Sequence, residues 1–246
     1  MPFRLVHGKA ILESGVTIAM GVAAVFLIVR MWKEPSGATA ASKPVPHDLE
    51  DISGRALSTT IRNAATAGSD LAPVALIEFS DFECPFCARH ATGTYEQIQS
   101  EFVSSGRVQY VFRNYPMERI HRSALAAARA SACALQQNRF MEMRSQLFAN
   151  QRSLASIDMN KIAADIGLDV SGFTSCLTDY GSKAVEAEKR EASRLGVSST
   201  PTFFIGRRLA DGTIRLITRV PGAMDYTYFK RGLDAALAEK SPSRSE

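Results

Sequence analysis

Cys84-Pro85-Phe86-Cys87 combines residue types and spacing able to do covalent chemistry. Two thiols separated by two residues can close a disulfide across one helical turn. If the pair opens a helix, unpaired N–H groups and the positive dipole end stabilise a thiolate on the first and more exposed sulfur, Cys84. A stabilised thiolate is a better leaving group, and that sets how readily the disulfide is reduced. Pro85 stiffens the turn and Phe86 adds an apolar face without charge. Two other chemistries use the same residues. Half of a zinc site would need two further ligands, for which Cys133, Cys176, His90 and His121 are the candidates, none of them in a second C-x-x-C or H-x-x-x-H spacing. A purely structural disulfide across so few residues would constrain little chain and stabilise little.

Two further positions point toward redox work. Glu78 interrupts the apolar run Pro73–Phe79, six residues before Cys84. A buried lone carboxylate is costly, and beside a buried Cys87 it would shuttle the proton that this thiol gains or loses. The alternative is a strand-edge glutamate facing solvent. Thr200-Pro201 precedes the apolar run 202–205. A proline there cannot donate to a ladder and suggests a tight, cis bend, the alternative being an ordinary loop proline.

The elements that must position these residues follow from patterning. Residues 73–79 read as a buried central strand, 85–104 as a helix with proline tolerated in its first turn, and 108–113 as a second strand. From about 120 to 195 the pattern is helical, with Asp158 capping one helix. Residues 202–205 and 214–220 form a hairpin around Asp211-Gly212, and a last helix runs over about 224–239. The order implies an α/β fold: a mixed sheet with helices on both faces and a helical insertion.

At the amino terminus Gly15–Val29 carries no charge, and Arg30 and Trp32 extend the usable span. Residues 15–32 read as a signal-anchor that leaves 1–14 in the cytoplasm and exports the rest. The competing reading is a cleaved signal peptide with Ala38-Thr39-Ala40 as its site. Residues 33–56, with Pro35, Pro44 and Pro46, read as a flexible linker, 57–240 as the folded domain and 241–246 as a disordered tail. The chain is 46% hydrophobic and 22% charged, which excludes wholesale disorder. Residues 1–33 hold +3 of the net +4, so the body is near neutral and offers no electrostatic footprint for nucleic acid.

The segments Ile77–Cys87 and Gly196–Phe204, with the helical block between them, resemble the thioredoxin superfamily, most closely the exported DsbA-like thiol:disulfide oxidoreductases. The resemblance covers about residues 57–240. It implies Cys84 as nucleophile, Cys87 as resolving thiol, Pro201 as a cis-proline facing the sulfurs, Thr200 as a backbone partner for bound peptide, and a buried acid at Glu78. It also supports a bond between Cys133 and Cys176, both in the insertion, the alternative being two buried free thiols. Two features depart from the family. The Pro-Phe spacer lacks the histidine of the strongly oxidising members, and Leu57–Asn63 is weak where an opening strand would lie.

The function expected is exchange of disulfides with protein or peptide thiols, helped by a membrane or soluble redox partner. No cofactor beyond the Cys84–Cys87 pair and no metal is implied. A reductase or isomerase dedicated to one client, and a non-catalytic peptide-binding chaperone, are the alternatives. His90 is expected at the surface, and Glu186, Glu188, Lys189, Arg190 and Glu191 on a solvated helix face. Phe82 and Phe86 flank the cysteines as an apolar docking surface unless they pack inward.

Overall fold

The computed structural model describes residues 49–239. The expected anchor at 15–32, the linker up to residue 48 and the tail at 241–246 lie outside the described residues. Among the described residues no helix is long and apolar enough to cross a membrane.

Seven strands make one sheet: β1 (Glu50–Asp51), β2 (Ser58–Thr59), β3 (Ala65–Ala67), β4 (Val74–Ser80), β5 (Val108–Asn114), β6 (Thr202–Arg208) and β7 (Ile214–Pro221). The order is β1-β7-β6-β4-β5-β3, with β2 also on β7. Among the described residues only β4 and β5 pair in parallel. β4 lies between β5 and β6 and is covered on both faces, which is why its sequence is a continuous apolar run. Its alternation puts Val74, Leu76 and Glu78 on one face and Ala75, Ile77 and Phe79 on the other.

A helical run, α1 (residues 85–103), follows β4 directly. It alternates α-helical Pro85–Arg89 and Tyr95–Ile98 with π-helical His90–Thr94 and Gln99–Val103. The insertion comprises α2 (Ala124–Gln136), α3 (Phe140–Ala149), α4 (Met159–Asp165), α5 (Val170–Thr178) and α6 (Tyr180–Arg194), and α7 (Tyr226–Ala238) ends the described chain. Asp158 and Asp169 cap α4 and α5 by accepting from backbone N–H groups in their first turns. One core cluster joins Val74, Leu76, Tyr110 and Phe203 of the sheet to Ile98 and Phe102 of α1 and to Phe229 of α7. On the opposite face Ile77, Phe79 and Phe204 pack on Ala192 of α6 and on Leu195 and Val197. A third cluster lies within the insertion and takes in Phe82, Cys84 and Cys87.

Two expectations change. The linker does not run to residue 56: Glu50 and Asp51 pair with Arg219 and Thr218, and Ile52 is buried. The outer edge of β7 offers free N–H and C=O groups, and a segment that docks through its backbone leaves little trace in composition. The opening region then splits between the two sheet edges, with β2 on β7 and β3 on β5. The charged run of α6 is solvated on one side only. Glu188 turns to the end of β5, where it accepts from Asn114 N at 3.0 Å and Nδ2 at 2.9 Å and pairs with buried Arg113 at 3.4 Å. Arg113 also reaches Glu191 at 3.5 Å and donates to Thr60 O at 2.7 Å.

Candidate active site

Cys84 stands just before the first helical turn of α1, with extended backbone angles, and Pro85 takes the first helical position. Cys84 is 4% exposed and Cys87 is fully buried. Both are free thiols. The Cys84 thiol donates to Thr200 O at 3.4 Å, which brings the bend before β6 against the sulfur from 116 residues away. The Thr200–Pro201 peptide bond is cis.

The two sulfurs differ sharply. Cys84 ionises at about 6, well below an ordinary thiol, chiefly because the Cys87 thiol donates to it; burial opposes this, and the Thr200 side chain and the N–H groups of Cys87 and Phe86 add to it. The Cys87 thiol is pushed well up by burial first, then by the bond to Cys84 and by the charges of Cys84 and Glu78. Asp81 N donates to its sulfur at 3.5 Å.

Glu78 is buried, not at a solvent-facing strand edge. Its Oε2 accepts from Tyr110 Oη at 3.0 Å, and its Oε1 has no hydrogen-bond partner. Phe86 is 53% exposed beside Cys84, with the Arg89 guanidinium 5.2 Å from its ring. Phe82 packs inward, 4.9 Å from Phe148 of α3. His90 is not at the surface: it is 1% exposed, wedged between Phe203 at 4.5 Å and Phe229 at 5.2 Å on the sheet-facing side of α1. Cys133 and Cys176 are joined by a disulfide linking α2 to α5, so neither is free to ligate a metal. Among the described residues no group of three or more His, Cys, Asp or Glu is gathered to hold one.

The sequence reading missed the residues that fasten the insertion to this site. Buried Asp81 accepts from Glu83 N at 2.8 Å with one oxygen. Its other oxygen accepts from Met117 N and meets His121 Nδ1, both at 2.8 Å. Glu83 accepts from Ser123 N at 2.7 Å, and Gln151 Nε2 donates to Phe82 O and Cys84 O at 2.8 and 2.9 Å. Two acids immediately before a C-x-x-C were a signal for such a clasp; Gln151 offered none.

This arrangement has a fold-wide context. A family model described as thioredoxin matches residues 60–217. The chain belongs to the thioredoxin family. Among solved structures, this thioredoxin-family chain resembles Wolbachia pipientis alpha-DsbA1 with a TM-score of 0.59 at 22% identity, over 72% of this chain and 92% of that one. It resembles Bacillus subtilis BdbD with a TM-score of 0.62 at 20% identity, over 75% and 99%. Pseudomonas aeruginosa DsbA2 gives 0.57 at 21%, over 77% and 99%. The resemblance read from the sequence therefore holds for the thioredoxin family and for the fold, a thioredoxin-like mixed sheet with a helical insertion. Closer in sequence is the Na(+)/H(+) antiporter NhaA 1 of Mycobacterium sp. (strain KMS), 40% identical over 145 residues, which are 57% of this chain and 23% of that protein. The NhaA antiporter of Herminiimonas arsenicoxydans is 37% identical over 147 residues, 58% and 22% of the two chains. The chain spans less than a quarter of the length of these curated relatives.

Proposed function

We propose that this thioredoxin-family chain is a thiol:disulfide oxidoreductase that exchanges disulfides with protein thiols outside the cytoplasm. The observation that carries the reading is the placement of the paired sulfurs: Cys84 stands at the start of α1 with its thiol on Thr200 O, while Cys87 lies fully buried one turn further in, surroundings that lower the ionisation of the first and raise that of the second. That is the division of labour between an attacking and a resolving thiol.

In the disulfide form a substrate thiolate attacks Cys84, and Cys87 leaves with the electron pair of the broken bond. A second substrate thiol then attacks the substrate sulfur of the mixed disulfide, which leaves Cys84 and Cys87 reduced and the substrate oxidised. A redox partner takes the two electrons to restore the disulfide. Run backward, the same steps reduce or isomerise. Glu78 exchanges the proton of Cys87. A substrate peptide pairs with the backbone at Thr200 beside Pro201 and rests an apolar side chain on exposed Phe86.

The surroundings of Cys84 favour its thiolate, which leans the pair toward oxidation, and the Pro-Phe spacer lacks the histidine that would add to that lean. The Cys133–Cys176 disulfide favours an oxidising compartment. The apolar run at 15–32 favours a membrane tether with the catalytic domain outside. Ion transport is not carried over from the antiporter relatives, which share so little of their length with this chain.

Cys84→Ser should abolish insulin reduction and oxidative refolding by the purified chain. Full retention of either would overturn its role as nucleophile. Cys87→Ala should accumulate mixed disulfides with substrate, seen on non-reducing gels. Equilibration of the pair against glutathione separates an oxidant from a dedicated reductase.

A further inference from the structure

Behind Cys87 lies a chain of buried polar groups of which the reaction above uses only the first. Glu78 on β4, Tyr110 on β5 and His90 on α1 are each at most 1% exposed, in the layer between the sheet and α1. Tyr110 Oη donates to Glu78 Oε2 at 3.0 Å, and His90 Nε2 lies 2.8 Å from the same hydroxyl. A phenol has one proton to give. Spent on the carboxylate, it leaves the hydroxyl as acceptor toward His90, so the imidazole carries its proton on Nε2 and none on Nδ1. The rest of the site agrees. His90 Nδ1 is buried without a partner, a lesser cost for a bare ring nitrogen than for an N–H. Burial also holds the imidazole neutral, with ionisation lowered to about 4. The chain ends at Glu78 Oε1, which is buried without a hydrogen-bond partner. The other groups acting on this cluster are Cys87 on α1, Tyr95 on α1 and Arg144 on α3. Arg144 is packed over the rings of Tyr95 and Phe112 at 4.6 and 4.8 Å.

We propose that Tyr110 and His90 are positioning residues that hold Glu78 as the proton acceptor of Cys87: the hydroxyl ties down Oε2, the imidazole fixes which way the hydroxyl donates, and Oε1 is left to take the proton. The inference rests on the oxidoreductase reading. In the reducing direction the Cys87 thiol gives its proton to Glu78 Oε1 through a bridging water, since no direct hydrogen bond joins the two. Its sulfur attacks Cys84 Sγ of the mixed disulfide, the bond from Cys84 to substrate breaks, and the substrate sulfur leaves with the electron pair and takes a proton from water. In the oxidising direction Glu78 returns the proton to the Cys87 sulfur as it leaves. Without Tyr110 the carboxylate loses its hydrogen-bond donor, and a hydrogen bond to a charged group matters more than a neutral one.

The test is single-turnover reduction of a fluorescent peptide disulfide by the reduced full chain, across pH. Tyr110→Phe keeps the ring, which packs 4.7 Å from Phe112 and 5.0 Å from Tyr95. It should move the midpoint of the rate profile about one unit alkaline, slowing the acid limb about tenfold and leaving the alkaline plateau in place. His90→Phe should shift the midpoint the same way by less, and His90→Gln, which restores an N–H donor, should return it toward wild type. The pH midpoint of Cys84 alkylation should stay put in all three, which a general loss of packing would not allow. A folded Tyr110→Phe whose profile superimposes on wild type overturns the proposal. Redox-difference infrared spectra of wild-type protein with ring-labelled tyrosine give a second reading: a label-sensitive band supports it, and a spectrum without one overturns it. An inactive wild-type chain would instead bring down the oxidoreductase reading and this inference with it, so the two failures are told apart.

Discussion

At the first turn of α1 the Cys84 sulfur meets the Cys87 thiol, the Thr200 side chain and the N–H groups of Phe86 and Cys87, while Cys87, one turn further in, meets apolar walls and the charge of Glu78. Two residues therefore separate a thiol that favours its anion from one that resists it. This has a consequence for stability as well as for chemistry. Cys84 ionises at about 6 when folded and near 9 when exposed, so the reduced fold binds fewer protons than the unfolded chain between those values. Its stability should rise with pH across that window, with a slope of at most about 1.4 kcal/mol per unit. The contribution is complete above 9 and lost below 6. Cys87 acts in the opposite sense: its raised ionisation contributes stability below 9 that falls away at higher pH. Urea unfolding of the reduced protein should show this rise, and Cys84→Ser should flatten it. An equal slope in both would mean that the thiolate is not stabilised by the fold.

At the scale of elements, what matters is how the insertion is held to the sheet. The carboxylates of Asp81 and Glu83 clasp the segment leading into α2, and the Glu188 carboxylate of α6 holds Arg113 at the end of β5. Burial raises the ionisation of Glu188, with Arg113 opposing it. Arg113 keeps Glu191 and Thr60 O, but both Asn114 donors lose their acceptor, so Glu188→Ala should cost about 1–3 kcal/mol. Glu188→Gln, which keeps an acceptor for Asn114, should cost less. Chemical denaturation of the two variants checks this, and equal small losses would show the pair to be solvated. Close approach also joins α6 to α2 beside the disulfide: a Cβ on Gly181 would sit 2.9 Å from Cys133 Sγ and 3.2 Å from Arg129 O. Gly181→Val should therefore destabilise the insertion.

For the whole molecule, the insertion contributes a wall to the candidate active site, since Phe82, Cys84 and Cys87 belong to its core cluster. The Cys133–Cys176 bond ties that wall together across 43 residues of sequence. On the loop-entropy account, replacing both cysteines by serine should cost about 4 kcal/mol. Because neither Cys133 nor Cys176 is among the groups that shift Cys84, its ionisation should not move. Thermal unfolding and thiol titration of the double variant read the two effects separately. An unchanged melting temperature would remove the bond from the stability of the fold.

The sequence alone determined the elements whose pattern is periodic or whose composition is extreme: the apolar β4, the proline-opened α1, the helical block and the β6–β7 hairpin. It also pointed to two unequal thiols, because a C-x-x-C at a helix start carries its electrostatics with it. Thr200 and Pro201 were legible because a proline before a strand restricts the backbone locally. Only the tertiary structure decided what meets across long separations. Asp81 and His121 are 40 residues apart, Glu78 and Tyr110 are 32 apart, and Arg113 and Glu188 are 75 apart. The side on which a lone histidine or a charged helix faces the core is set by what packs against it, so His90 and Glu188 were read as surface residues. Backbone docking of residues 50–51 and 58–59 on the edge of β7 left no side-chain pattern to read, because hydrogen bonds between main-chain atoms are nearly indifferent to residue type.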